Sequence, residues 1–165
     1  MTKYRLLTLE ELKSLEKEFI DYLVINGITP EKWVEIKTDN PEGADKVIAH
    51  FSEVIIESVL RKIKYLEARG KNYLFTYQCN QNSIVLVAIE GPKRSKIDFT
   101  NVENLQISLK KYVGKIQAYT TSKPYAKTRE EELFDMLQNG CVISDDKLFK
   151  AISLVLAENA HPINN

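Results

Sequence analysis

Apolar residues recur with one period up to residue 70 and with another beyond it. In the first stretch they return every three or four residues, the spacing that lines one face of a helix. Thr8 and Glu11 form a capping box ahead of Leu12, Leu15, Phe19 and Leu23, which predicts a first helix that Gly27 ends at its C′ position. Thr29-Pro30 opens a short second helix carrying Trp33 and Ile36, with proline at the first helical position. Asn40-Pro41 repeats that signal and leads into a long helix striped by Ile48, Phe51, Ile55, Val59, Ile63 and Leu66, stopping at Gly70. Val47, Val54, Ile56 and Leu60 widen the stripe, so this helix is expected to be covered on more than one side.

The period then shortens to two. In "NYLFTYQC" (72–79), Tyr73, Phe75 and Tyr77 alternate with their neighbours, and "SIVLVAIE" (83–90) is continuously apolar. With Asn80-Gln81-Asn82 between them, the two runs predict a hairpin whose second strand is interior to a sheet. "GPKRSK" (91–96) reads as a loop and "IDF" (97–99) as a short third strand. Thr100 and Glu103 form a second capping box, opening a helix with Val102, Leu105, Leu109 and Tyr112 on one face. "KIQAYTT" (115–121) alternates as a fourth strand. Thr128 and Glu131 start a helix through Gln138, ended by Asn139-Gly140. Ser144 is expected to cap a last helix facing inward through Leu148, Ile152 and Val155, ahead of a frayed tail.

The predicted class is therefore α+β: a helical N-terminal half packed on a small mixed sheet, in the order ααα-ββ(β)αβ-αα. With 165 residues the chain fits one compact domain, all-helical over 1–70 and ββ(β)αβαα over 71–160. No internal repeat or low-complexity segment interrupts it.

Composition narrows the function by exclusion. Twenty-three basic and 23 acidic residues cancel, so the whole molecule is no polyelectrolyte for DNA or an anionic membrane. The longest apolar runs are too short to span a bilayer, and the N-terminus lacks a signal peptide's uninterrupted apolar core. Cys79 and Cys141 form no CxxC and read as buried or idle thiols of a reducing compartment, a single long-range disulfide being the alternative, and with the rest this points to the cytoplasm.

No metal, cofactor or catalytic residue is assigned. His50 and His161 are the only histidines, and nothing gives three or four clustered zinc ligands. GxSxG, P-loop and GxGxxG signatures are absent. Glu10-Glu11, Glu16 with Glu18, and Glu130-Glu131-Glu132 sit in or near first helical turns, where carboxylates complement the dipole. The element order resembles that of restriction-endonuclease-like nucleases, which hold a metal with an acid on one core strand and an (Asp/Glu)-x-Lys on the next. Here the interior strand has no acid before Glu90, Lys93 follows at the wrong spacing, and Asp98 follows Lys96 instead of preceding a lysine. A degenerate relative is the most that this order implies.

Charge is unevenly placed within the neutral total. Lys93, Arg94, Lys96, Lys110, Lys111, Lys115, Lys123, Lys127 and Arg129 face only Asp98 and Glu103, giving +7 with Tyr112, Tyr119 and Tyr125 interleaved. Phosphate contacts plus base stacking would use such a strip, for RNA or single-stranded DNA. Helix-end and loop positions explain the same lysines without a ligand.

"YRLLTLEELKSLEKEFIDYLVINGITPEKW", "VLRKIKYLE" (59–67) and "VISDDKLFKAI" (142–152) resemble a family of small bacterial proteins of unknown function. The resemblance spans nearly the whole chain and implies one compact bacterial cytoplasmic architecture. Its motifs are caps, helix faces and turns, so it transfers no ligand or catalytic residue. The sequence is expected to encode a non-enzymatic interaction or regulatory protein, with a protein partner or a second copy buried against Trp33 and the widened helical stripe. Nucleic-acid binding through 93–129 is the alternative.

Overall fold

A computed structural model of the chain describes residues 2–160 except 102–104, 106–108 and 113, with the side chains of 158–160 left aside. The expected helix face at Val102, the cap partner Glu103, His161 and the tail lie outside the described residues. Two compact units emerge, Met1–Arg61 and Lys62–Asn165. The change of unit precedes Gly70 because residues 65–69 join the sheet.

The first unit is helical: α1 (Leu9–Ser14), α2 (Glu16–Ile25), α3 (Pro30–Asp39) and α4 (Pro41–Lys62, whose last residue opens the second unit). The Thr8–Glu11 capping box forms as its spacing dictates. What was expected as one first helix breaks at Leu15, whose φ of −108° and ψ of 23° leave the helical region. Gly27, at φ 73°, ends α2 with the Ile28 amide reaching back to the Leu23 carbonyl at 2.8 Å, the left-handed cap only glycine adopts cheaply. Asn40 caps α4 by accepting the Gly43 amide at 3.0 Å. Inside, Phe51 is 1% exposed and meets Phe19 edge-on at 4.9 Å between ring centroids. Phe19 in turn meets Trp33 at 5.3 Å, and Tyr22 contacts Phe51 at the same separation. This aromatic knot joins α2, α3 and α4. The chain ahead of α1 is pinned to α4 by buried Ser52, which accepts the Leu7 amide (3.1 Å) and donates to the Ile48 carbonyl (2.8 Å). The Tyr4 hydroxyl donates to Glu57 at 2.5 Å beside it.

The second unit holds five strands: β1 (Tyr65–Arg69), β2 (Tyr73–Cys79), β3 (Ser83–Glu90), β4 (Gln117–Pro124) and β5 (Val142–Ser144). They lie in the order β4-β3-β2-β1-β5, and every pairing is antiparallel. The hairpin 72–90 and the fourth strand stand where the alternation put them. β1 and β5 do not follow from it. The long helix ends at Lys62, and Leu66 is buried in a strand whose spacing from Ile63 also fits a helix. Ser144 pairs with Tyr65 in β5 instead of capping a helix, and the Asp145 carboxylate accepts the Lys147 amide at 3.0 Å at the start of the last helix. Residues 97–99 form no strand: the Phe99 amide bonds to the Lys71 carbonyl at 3.0 Å, in the turn between β1 and β2, while Ile97 and Phe99 plug the core. Their alternation serves burial without pairing.

Two helices follow β4: α5 (Arg129–Gln138) and α6 (Lys147–Ala160). The backbone is also helical at Leu105 and over 109–111. One face of the sheet carries Leu74, Val87 and Ile89, and there α6 through Ile152, with Leu105, Ile97 and Phe99, closes the main core. α5 buries Leu133 fully behind the Thr128–Glu131 capping box. Gly140, at φ 102°, ends it as its position after Gln138 predicts.

Candidate functional site

The nine basic residues divide between the two ends of β4. At the Pro124 end, Lys123 pairs with Glu132 and Lys127 with Asp135 at 2.6 Å. Arg129 is 14% exposed, and its guanidinium donates to the backbone carbonyls of Ile63, Cys79 and Asn80, the last two at 3.1 Å. It ties the start of α5 to the approach to β1 and to the β2–β3 turn. Arginine suits this task because its planar fork presents several donors at fixed angles. A seven-step rise at about 3.4 Å per residue puts the other end of β4 roughly 24 Å away. There Lys93 and Lys115 line one cleft of about 320 Å³ with Glu90, Asn72 and Gln117. Arg94 and Lys96 lie in the same loop as Lys93, and Lys110 and Lys111 are helical, with the Lys111 ammonium 5.5 Å from the Tyr112 ring centroid. Among the described residues, none of these last six takes part in an ion pair.

Glu90 and Lys93 of the nuclease comparison therefore share a cleft, but Asp98 is occupied elsewhere, accepting the Thr100 amide at 2.9 Å and the Thr100 hydroxyl. Those bonds hold its carboxyl below the ordinary range. No three His, Cys, Asp or Glu side chains converge as a metal site among the described residues. Burial pushes the Cys79 thiol up to about 12 and also raises that of Cys141, so the thiolate that would act as nucleophile is disfavoured at both. His50 lies against Tyr22, whose hydroxyl meets its Nδ1, a contact between α2 and α4.

A separate cavity of about 240 Å³ lies between the sheet and α6. Leu74, Ile89, Leu105 and Ile152 form its floor and are 0–3% exposed. Leu109 and Ile116 stand at its side, and Ala151 and Val155, both exposed, mark its mouth. The lining residues among those described are all Leu, Ile, Val or Ala. Kept empty inside a sealed core, a void of this size would cost on the order of 6 kcal/mol, comparable with a domain's whole stability. The sequence does place Leu105, Leu109, Leu148 and Ile152 facing inward. The gap between them depends on helix-to-sheet distance, which no residue pattern encodes.

The helical unit presents apolar side chains outward. Ile20 (51% exposed) and Val24 (65%) form an i, i+4 ridge on α2, with Ile25 beside its end and Leu9 exposed on α1. Leu9, Leu12 and Phe19 line a shallow groove with Lys13 and Glu16. Trp33 is half-buried in the aromatic knot, so its ring already has intramolecular partners. Outward Ile20 and Val24 are spaced as a second helical face, a signal that the inward stripe of the same helix conceals.

No helix among the described residues is long and apolar enough to cross a membrane. No curated protein and no solved structure matches the chain. A family model matches residues 1–157, and the chain belongs to that family, a family of unknown function designated DUF6495.

Proposed function

We propose that this member of the DUF6495 family is a non-enzymatic cytoplasmic interaction protein that engages another protein chain through its helical unit, a second copy being the simplest partner. The exposed ridge of Ile20 and Val24 carries the reading, with Ile25 and Leu9 exposed in the same unit. Contiguous outward apolar side chains rimmed by charge mark contact surfaces, and most soluble oligomers pair identical patches about a twofold axis. Sedimentation equilibrium tests it: the wild-type chain associates, and Ile20→Asp with Val24→Asp leaves a folded monomer.

A second reading is favoured by the six basic residues between Lys93 and Lys115, which have no ion pair among the described residues. They support nucleic-acid binding from one end of the sheet, by phosphate contacts whose affinity falls steeply with salt. Retention on heparin at low salt, lost when Lys93, Arg94 and Lys96 are changed to Glu, is its expected outcome, and flow-through of the wild-type protein counts against it.

A further inference from the structure

We infer that the cavity under α6 binds the hydrocarbon chain of a medium-length acyl carboxylate. The described lining residues are all aliphatic, so an occupant is recognised by shape and exclusion of water more than by side-chain hydrogen bonds. An apolar cavity of about 150 Å³ stays dry and takes up benzene, and this one is larger, with room for a longer chain. The floor at Leu74, Ile89 and Ile152 is sealed, whereas Ala151 and Val155 open to the surface. A wholly apolar ligand would leave its outer end in water at that mouth. A chain ending in a charged group places its polar end there without cost.

The residues flanking the lining argue for a negative charge on that end. Lys110 follows Leu109, Lys115 precedes Ile116, and Lys111 lies beside Lys110; all three are exposed and without ion pairs among the described residues. Lys147 and Lys150, next to Leu148 and Ala151, are held by Asp145 (3.8 Å) and Asp146 respectively, which leaves the first three to meet a carboxylate.

Titration of the full chain with decanoate and with 1-decanol, followed by calorimetry and by methyl NMR, tests the assignment. Saturable one-to-one binding with a negative heat-capacity change is expected for both probes. The shifted methyl groups are those of Leu74, Ile89 and Ile152, with Leu133 of α5 unmoved. Ala118→Phe fills the cavity from β4 and should weaken both probes by at least about tenfold while thermal unfolding stays cooperative. The methyl shifts, read on the wild-type protein, decide the matter even where that variant folds poorly. Changing Lys110, Lys111 and Lys115 to Glu should weaken decanoate by about tenfold and leave decanol unchanged. No binding of either probe, or methyl shifts that avoid the cavity floor, overturns the site. Equal loss of both probes in the triple variant, or loss of neither, overturns the carboxylate.

Discussion

The two units spend their apolar residues differently. In Met1–Arg61 the aromatic knot around Phe51 uses one face of each helix, and a second set of aliphatic side chains on α1 and α2 points outward. In Lys62–Asn165 Ile143 and Leu154 are exposed too, but Leu74, Ile89, Leu105 and Ile152 turn inward from sheet and helix and leave a cavity between them. Charge divides along the same line. Eight basic and twelve acidic residues give the first unit −4, and fifteen against eleven give the second +4. A neutral total thus hides an acidic helical unit with an apolar surface and a basic sheet unit with an apolar interior space. Composition averaged over a chain says little about either.

The strongest way to break this contrast is to remove the centre of the first unit. Phe51→Ala should cost about 4 kcal/mol, because a fully buried ring with two aromatic neighbours, Phe19 and Tyr22, leaves a cavity that its stiff surroundings cannot close. Trp33, the chain's one tryptophan, sits in the same knot, so its fluorescence in urea reads this loss directly. The matching change in the second unit is Arg129→Ala, which removes the guanidinium from the carbonyls of Ile63 and Cys79 and leaves that of Asn80 to the Tyr125 hydroxyl at 2.8 Å. Unfolding free energy, followed by the β-sheet signal in circular dichroism, should fall by about 3 kcal/mol. Arg129→Lys should recover little of it, since one ammonium cannot reproduce the fork.

Smaller changes sharpen the comparison. Among the described residues, each unit contains one complete capping box, Thr8 with Glu11 and Thr128 with Glu131. Thr8→Ala and Thr128→Ala should each cost about 1 kcal/mol, and a large inequality would show that one cap bears more than its helix start. The smallest effect is one of pH. Glu11 is held down to about 2 from an ordinary 4.5, first by the Arg5 guanidinium (two contacts at 2.7 Å) and then by the Thr8 amide. A carboxyl with a depressed folded pKa contributes stability above 4.5 that is lost as pH falls towards 2. Acid titration should therefore loosen α1 in that window, and Glu11→Gln should remove the dependence.

Local chemistry was legible in the chain and pairing was not. The caps at Thr8, Thr29 and Thr128, the glycine ends at Gly27 and Gly140 and the 72–90 hairpin follow from residues within one turn of each other. The spacing of Ile63 and Leu66 predicts helix through β1, and only its pairing with β2 and β5 decides otherwise. β5 is three residues long, too short to carry a period. The basic strip fails for a related reason: its residues share one stretch of the sequence, but the length of β4 lies between the surroundings of Lys93 and Arg129. Arg129 itself looked like a surface charge and is a structural clamp.

The central claim, that the helical unit is a protein-contact surface, is tested most directly by sedimentation equilibrium on the wild-type chain and on the Ile20→Asp, Val24→Asp variant. Association in the wild type, abolished in a variant whose stability changes by no more than about 0.5 kcal/mol, is the predicted result. A wild-type chain that stays monomeric at every concentration, or a variant that associates equally well, contradicts it.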